Sequence, residues 1–165
     1  MSEATLPTDP KVIFTLTLLG EAENTGVSGM QHVASVILNR ARIGGWWGHD
    51  VRSVCLAPWQ FSCWNPGPDR DRILALPTTY PWYGIADGIV SLAMAGSLAD
   101  ATLGADSYYA RSMKTPPAWS RISRQTFADQ WHVFFDTRDA QIRNVSARSA
   151  DDLNAQELAQ LGTTA

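Results

Sequence analysis

From Pro10 to Leu19 almost every position is apolar, with only Lys11, Thr15 and Thr17 interrupting Val12, Ile13, Phe14, Leu16, Leu18 and Leu19. A helix that is apolar nearly all round is a buried one. Asp9 suits an N-cap and Pro10 the first helical position, so a helix is predicted from Pro10 to about Asn24, ended by Thr25-Gly26. A second follows over about Gly29–Arg42, capped by Ser28. Its apolar positions Met30, Val33, Ala34, Ile37, Leu38 and Ala41 recur at three- and four-residue spacing.

Gly44-Gly45 stops that helix and opens a stretch rich in glycine, proline and tryptophan that lasts to Pro68. Within it a short helix is expected around Asp50–Leu56 and an extended piece at Gln60–Trp64. Asp69–Leu76 reads as another short helix. Pro77 and Pro81 break the chain before a third long helix, Trp82–Leu98, with Ile85, Ile89, Leu92, Ala93 and Met94 on one side. Gly104–Ser112 and Trp131–Phe135 are aromatic and β-branched, the pattern of strands. In an extended segment Tyr108 and Tyr109 point to opposite faces. The expected fold is mainly α (α+β): a single domain of residues 9–144 with a small extended element, behind a flexible arm (1–8) and before a polar tail (145–165).

At 165 residues and 45% hydrophobic composition, the chain is long enough for one packed core. Its net charge of −3, with scattered basic residues, lacks the basic stripe of a nucleic-acid binder. No apolar run is long enough to span a bilayer, and no compact basic start precedes Val12–Gly20 as in a secretory signal. The expectation is therefore a monomer made in the cytoplasm without a Sec-type signal. Three histidines without CxxC or HExxH spacing give no metal site, and no cofactor is expected. Cys55 and Cys63 could close a short loop as a disulfide or stay as two free buried thiols.

Seven tryptophans change the picture more than charge does. Some belong to the core; others could stack on the apolar faces of sugar rings. Trp46-Trp47, flanked by glycines, is a candidate for the second role. Gln60-Phe61-Ser62-Cys63-Trp64-Asn65 places an amide, a hydroxyl and two aromatic faces within six residues, which suits an N-acetylated sugar. Cutting a glycosidic bond further needs a carboxylic acid that stays protonated near neutral pH, and an apolar setting provides that by disfavouring the charged form. The four glutamates are Glu3, Glu21, Glu23 and Glu157. Only Glu21 and Glu23 sit where a buried helix reaches the surface. Glu21 stacks over Leu18 and Thr17 on one face. Glu23 lies over Leu19 and Gly20.

These residues carry a resemblance. Leu19-Gly20-Glu21-Ala22-Glu23, Gly29-Met30-Gln31 and Val33-Ala34-Ser35-Val36-Ile37-Leu38-Asn39-Arg40 resemble the opening of the cell-wall hydrolase family that includes the spore-cortex lytic enzymes. Val54-Cys55 with Gln60–Asn65, Ala105–Ala110 with Trp119, and His132-Val133-Phe134-Phe135 resemble its later blocks. The resemblance covers about Val12–Phe135. It implies a lysozyme-like domain acting on bacterial peptidoglycan, as a muramidase or lytic transglycosylase, with Glu21 of the Gly-Glu-Ala motif as the catalytic acid. Where the family often has Arg-Gly-Glu this chain has Glu23-Asn24-Thr25, and Trp131 stands before His132 in place of a smaller or basic residue. The substrate-binding set expected with Glu21 is Gln60, Phe61, Ser62, Trp64, Asn65, Tyr108, Tyr109, Trp119 and His132. Gln60, Phe61, Trp64, Tyr109 and Trp119 are expected to line one cleft with Glu21. Asp106 is the candidate for a second carboxylate, and Asn39-Arg40, which could be a cap and surface charge at a helix end, reads as structural. Phage-type host lysis is the expected setting, with action in the periplasm or outside the cell. A wall amidase or peptidase using cysteine and histidine, and a non-enzymatic wall-binding module, are the alternatives.

Overall fold

The computed structural model describes residues 5–139. Five helices lead into a three-stranded sheet: α1 (Pro10–Ala22), α2 (Gly26–Ile43), α3 (Val51–Leu56), α4 (Pro68–Leu74), α5 (Pro81–Met94), then β1 (Ser107–Ala110), β2 (Arg124–Ala128) and β3 (His132–Asp136). The fold is α+β and mainly helical, as the hydrophobic pattern predicts. The chain divides into two compact units, Met1–Ala101 and Thr102–Ala165. The weak tail helix expected around Leu153–Leu161 lies outside the described residues.

In the first unit α1 is the central element. Asp9 caps it by accepting from the Lys11 N–H, and Pro10 opens it. Every residue from Ile13 to Leu19 is buried, and α2, α3, α4 and α5 all pack on it. Its interior hydroxyls are satisfied locally: Thr15 donates to the Lys11 carbonyl and Thr17 to the Ile13 carbonyl. Lys11 at its start pairs with Asp87 of α5 at 2.9 Å.

The junction to α2 differs from expectation. Ser28 is not the cap. A single tight turn, Glu23–Thr25, joins the two helices, and Gly26 at φ +71° lets α2 begin there. Thr25 turns its hydroxyl back to the Ala22 carbonyl. α2 is buried nearly all round, including Asn39 and Arg40, so these two are structural and not a surface cap and charge. α5 buries Ala86, Ile89, Val90 and Ala93 and exposes Ile85, Leu92 and Met94. The expected face is thus rotated: the small alanines, recurring at seven-residue spacing, face inward.

In the second unit β3 is central, with β1 and β2 antiparallel on either side. Tyr109 pairs with Val133 and Gln125 with Phe135, and a bulge falls between Gln125 and Phe127. The edge strand β2 carries no apolar alternation that predicts it. As expected of a strand, Tyr108 and Tyr109 take opposite faces. Tyr108 packs against Phe134 and His132, while Tyr109 stacks on Phe135 and meets Trp119.

Candidate active site

The C-terminal turn of α1 carries a stripe unlike the rest of the helix: Thr17, Gly20 and Glu21. The segment from Cys55 to Trp64 lies along it. Trp64 donates its indole N–H to the Thr17 hydroxyl at 2.9 Å. The buried Cys55 thiol lies against Thr17, which lessens the rise in its pKa. Cys63 sits over Gly20 so closely that a Cβ there would be 2.5 Å from its Cβ. The Cys63 backbone N–H donates to Glu21 Oε1 at 3.2 Å, and its thiol lies in the field of the same carboxylate, which helps to push the thiol pKa up. Glu21 is half-buried, so its carboxylate stands at the edge of an apolar core.

Glu23, two residues on, is placed differently. Tyr80 donates its phenol O–H to Glu23 Oε1, and Arg72 Nη1 lies 3.5 Å from Oε2. Its carboxylate is thus engaged by a phenol and a guanidinium on the helix exterior.

Both cysteines are buried free thiols; the bridge entertained from their spacing is not formed. Each sulfur faces α1, at Thr17 and Glu21. Burial pushes the Cys55 thiol up to about 12. Burial, and then the neighbouring Glu21 charge, push the Cys63 thiol higher still. The thiolate is the nucleophile, and these two sulfurs are held as S–H.

Across residues 24–135, more than half of the chain, the sequence matches the family model described as Cell Wall Hydrolase. The chain belongs to the cell wall hydrolase family. No curated protein and no solved structure matches it. This cell wall hydrolase is therefore an enzyme acting on the wall, with peptidoglycan as its substrate. Its matched segment contains the Gln60–Asn65 block, β1, β2 and β3 up to Phe135, and begins three residues after Glu21.

The expected sugar-binding residues of this hydrolase divide by burial. Gln60, Phe61 and Trp64 are core residues, with Phe61 1% and Trp64 9% exposed. The Arg40 guanidinium, itself fully buried, lies 5.0 Å from the Phe61 ring and 4.3 Å from that of Trp47. Phe61 and Trp64 are thus packed into the core of the first unit. Ser62 is exposed and Asn65 half-buried, so these two polar members of the block remain available. In the second unit Trp119, 4% exposed, packs edge-on against Phe135, and Tyr108 and His132 are buried as well. Tyr109 is half-buried. Asp106 is fully buried and accepts from the Thr137 N–H and hydroxyl, which fits a structural clamp and not a second catalytic carboxylate.

The aromatic residue that does present a face is Trp59. It is 64% exposed, sits one turn ahead of the Ser62–Trp64 segment, and holds a left-handed backbone at φ 65°. A bulky residue is uncommon there. Sequence reasoning counted it among seven tryptophans without singling it out. The signal was Pro58-Trp59, a turn dipeptide that puts the indole at a loop tip. Trp46 is 38% exposed beside the buried Trp47. A shallow concavity elsewhere in this unit, lined by Ser35, Asn39, Arg42 and Asp100 among others, contains none of the expected site residues.

Among the described residues, no three His, Cys, Asp or Glu side chains are grouped as metal ligands would be. Nor, among them, is any helix long and apolar enough to cross a membrane.

Proposed function

We propose that this cell wall hydrolase is a glycosidase that cuts the glycan backbone between N-acetylmuramic acid and N-acetylglucosamine, with Glu21 as its single general acid and base. The observation that carries this reading is the contrast between the two glutamates at the end of α1. Glu23 is engaged by Arg72 and Tyr80. Glu21 is held at the edge of the apolar core by a backbone N–H, beside a thiol that stays protonated.

Glu21 gives its proton to the leaving glycosidic oxygen as the bond breaks. The substrate's own acetamido group supports the oxocarbenium-like centre. The carboxylate then takes a proton back. If it comes from the sugar's 6-hydroxyl, a 1,6-anhydro product forms, as in a lytic transglycosylase; if from water, a reducing end forms, as in a muramidase. One carboxylate suffices for either course. The domain is lysozyme-like in this reading. Trp59, Ser62 and Asn65, in the segment that brings Cys63 to the acid, supply an apolar face and polar groups for the N-acetylated sugars in this reading. A cysteine-based amidase would need a thiolate, and burial opposes that at both cysteines.

The test is Glu21→Gln, which keeps shape and hydrogen bonding but cannot donate the proton. Clearing of purified peptidoglycan should fall at least ~10²-fold, with unchanged melting and wall binding. Glu23→Gln should cost far less. Clearing by Glu21→Gln at the wild-type rate would show that Glu21 is not the acid. If Glu23→Gln is the inactive variant, the roles of the two residues are exchanged. Mass spectrometry of the products separates anhydro from reducing ends.

A further inference from the structure

We propose that Cys63 is the positioning residue for Glu21, its backbone N–H and thiol together fixing the carboxylate, with the bare backbone of Gly20 making room for that contact. The proposal rests on the reading of Glu21 as the acid and adds the residue that aims it.

A glutamate at a helix end has rotatable bonds to spare, and holding it in one geometry costs side-chain entropy. A general acid nevertheless has to be aimed closely at its oxygen. One residue, 42 positions away in the chain, is placed to do this here: its N–H lies 3.2 Å from Oε1, and its thiol, packed on Gly20 one residue before Glu21, lies in the field of the same carboxylate. Cys63 reaches that position only because Gly20, one residue before Glu21, has no side chain. A Cβ on Gly20 would come 2.5 Å from Cys63 Cβ and 2.8 Å from its Sγ. Glycine inside a helix is otherwise less favourable than alanine.

The choice of sulfur matters as well. A hydrogen bond to the ionised carboxylate favours that form, which works against an acid that must be protonated when substrate arrives. A thiol is a weak donor. It orients the carboxyl group while favouring the charged form less than a serine hydroxyl would. Burial keeps the Cys63 thiol protonated, so the donor is present throughout the working range.

The titratable groups that feel Glu21 include Cys63 and, from α3, Cys55, which in turn feels Arg40 of α2 and Asp50. Glu23 forms its own cluster with Arg72 of α4 and Tyr80. From α5, Asp87 and Tyr83 sit at the opposite end of α1 with Lys11 and Asp9. Substitution at Cys63 leaves all but Cys63 itself unchanged.

The experiment compares Cys63→Ser and Cys63→Ala with wild type and Glu21→Gln on solubilised peptidoglycan strands, measuring kcat and KM from pH 4 to 9 alongside melting temperature. The stronger serine donor should move the alkaline limb of kcat to lower pH, and alanine should move it to higher pH. Each shift should be about half a unit to one unit. Alanine should also lower kcat roughly tenfold through loss of aim, while KM stays unchanged. A merely structural Cys63 would alter melting without moving the two limbs in opposite directions. An inactive Glu21→Gln with wild-type pH profiles for both Cys63 variants overturns this proposal alone. An active Glu21→Gln removes the reading beneath it. Should the alanine variant not fold, the acid shift of the serine variant decides by itself.

Discussion

At the scale of the residue, the tryptophans sort by what lies around each ring. Trp64 spends its indole N–H on Thr17 and is 9% exposed, while Trp59 is 64% exposed on a strained backbone. The first is core and the second is a free apolar face. Trp59→Ala should therefore raise KM for solubilised strands several-fold and leave the melting temperature within the range of a surface substitution, about 0.5 kcal/mol. Trp64→Ala should destabilise by about 3–5 kcal/mol, as truncation of a buried aromatic does. Isothermal binding to solubilised strands and thermal melts on both variants check this pair. Equal loss of stability in the two would mean that Trp59 is packed in solution.

At the scale of the element, α1 combines two tasks. Its apolar run anchors the first unit, and its last turn carries the acid. The two are compatible because Thr17, Gly20 and Glu21 fall on the side that receives the Cys55–Trp64 segment. Gly20→Ala sets two effects in opposition. Helix propensity favours alanine by up to about 1 kcal/mol. The new Cβ overlaps Cys63 Cβ, an atom fixed to the loop backbone, and overpacking of that kind costs about 1–3 kcal/mol. The clash should win: a lower melting temperature, and a fall in kcat larger than the loss of stability explains, because the displaced loop releases Glu21. A Gly20→Ala protein that is more stable than wild type and fully active would contradict the close contact.

At the scale of the whole molecule, the two compact units hold together by different means. The first is a helical apolar core. The second has an aromatic core around Trp119, Val133 and Phe135 and, at the end of β3, ion pairs around Asp136. Its carboxylate is bonded by Arg138 and paired across the sheet with Arg124 at 2.9 Å, which holds it well below its ordinary 3.8. A carboxyl group depressed in the folded state stabilises above its unfolded value and loses that contribution as pH falls through and below it. Asp136→Asn should therefore melt below wild type at pH 7, and the gap should close on acidification past 3.8 toward pH 3. Melts of both proteins at the two pH values check this; a gap that does not change with pH would mean the pairs are solvent-screened and contribute little.

What the sequence determined is what depends on neighbours within a turn or two. The cap at Asp9, the buried helix from Pro10, the short helices near Asp50 and Asp69, the alternation of Tyr108 and Tyr109, and the singularity of Glu21 and Glu23 all follow from spacing, charge and propensity. The existence of β2, the face α5 turns inward and the helical start at Gly26 escaped it. These are settled by packing against elements far along the chain, and a short strand or a helix face has no local signal strong enough to override that. The tertiary structure alone decided which aromatics are core, that Arg40 lies between Trp47 and Phe61, that the two thiols face α1 instead of each other, and that Cys63 meets Glu21. Exposure and the contact between a carboxylate and its holder depend on three-dimensional proximity, and residues 21 and 63 become neighbours only when the chain between them has folded.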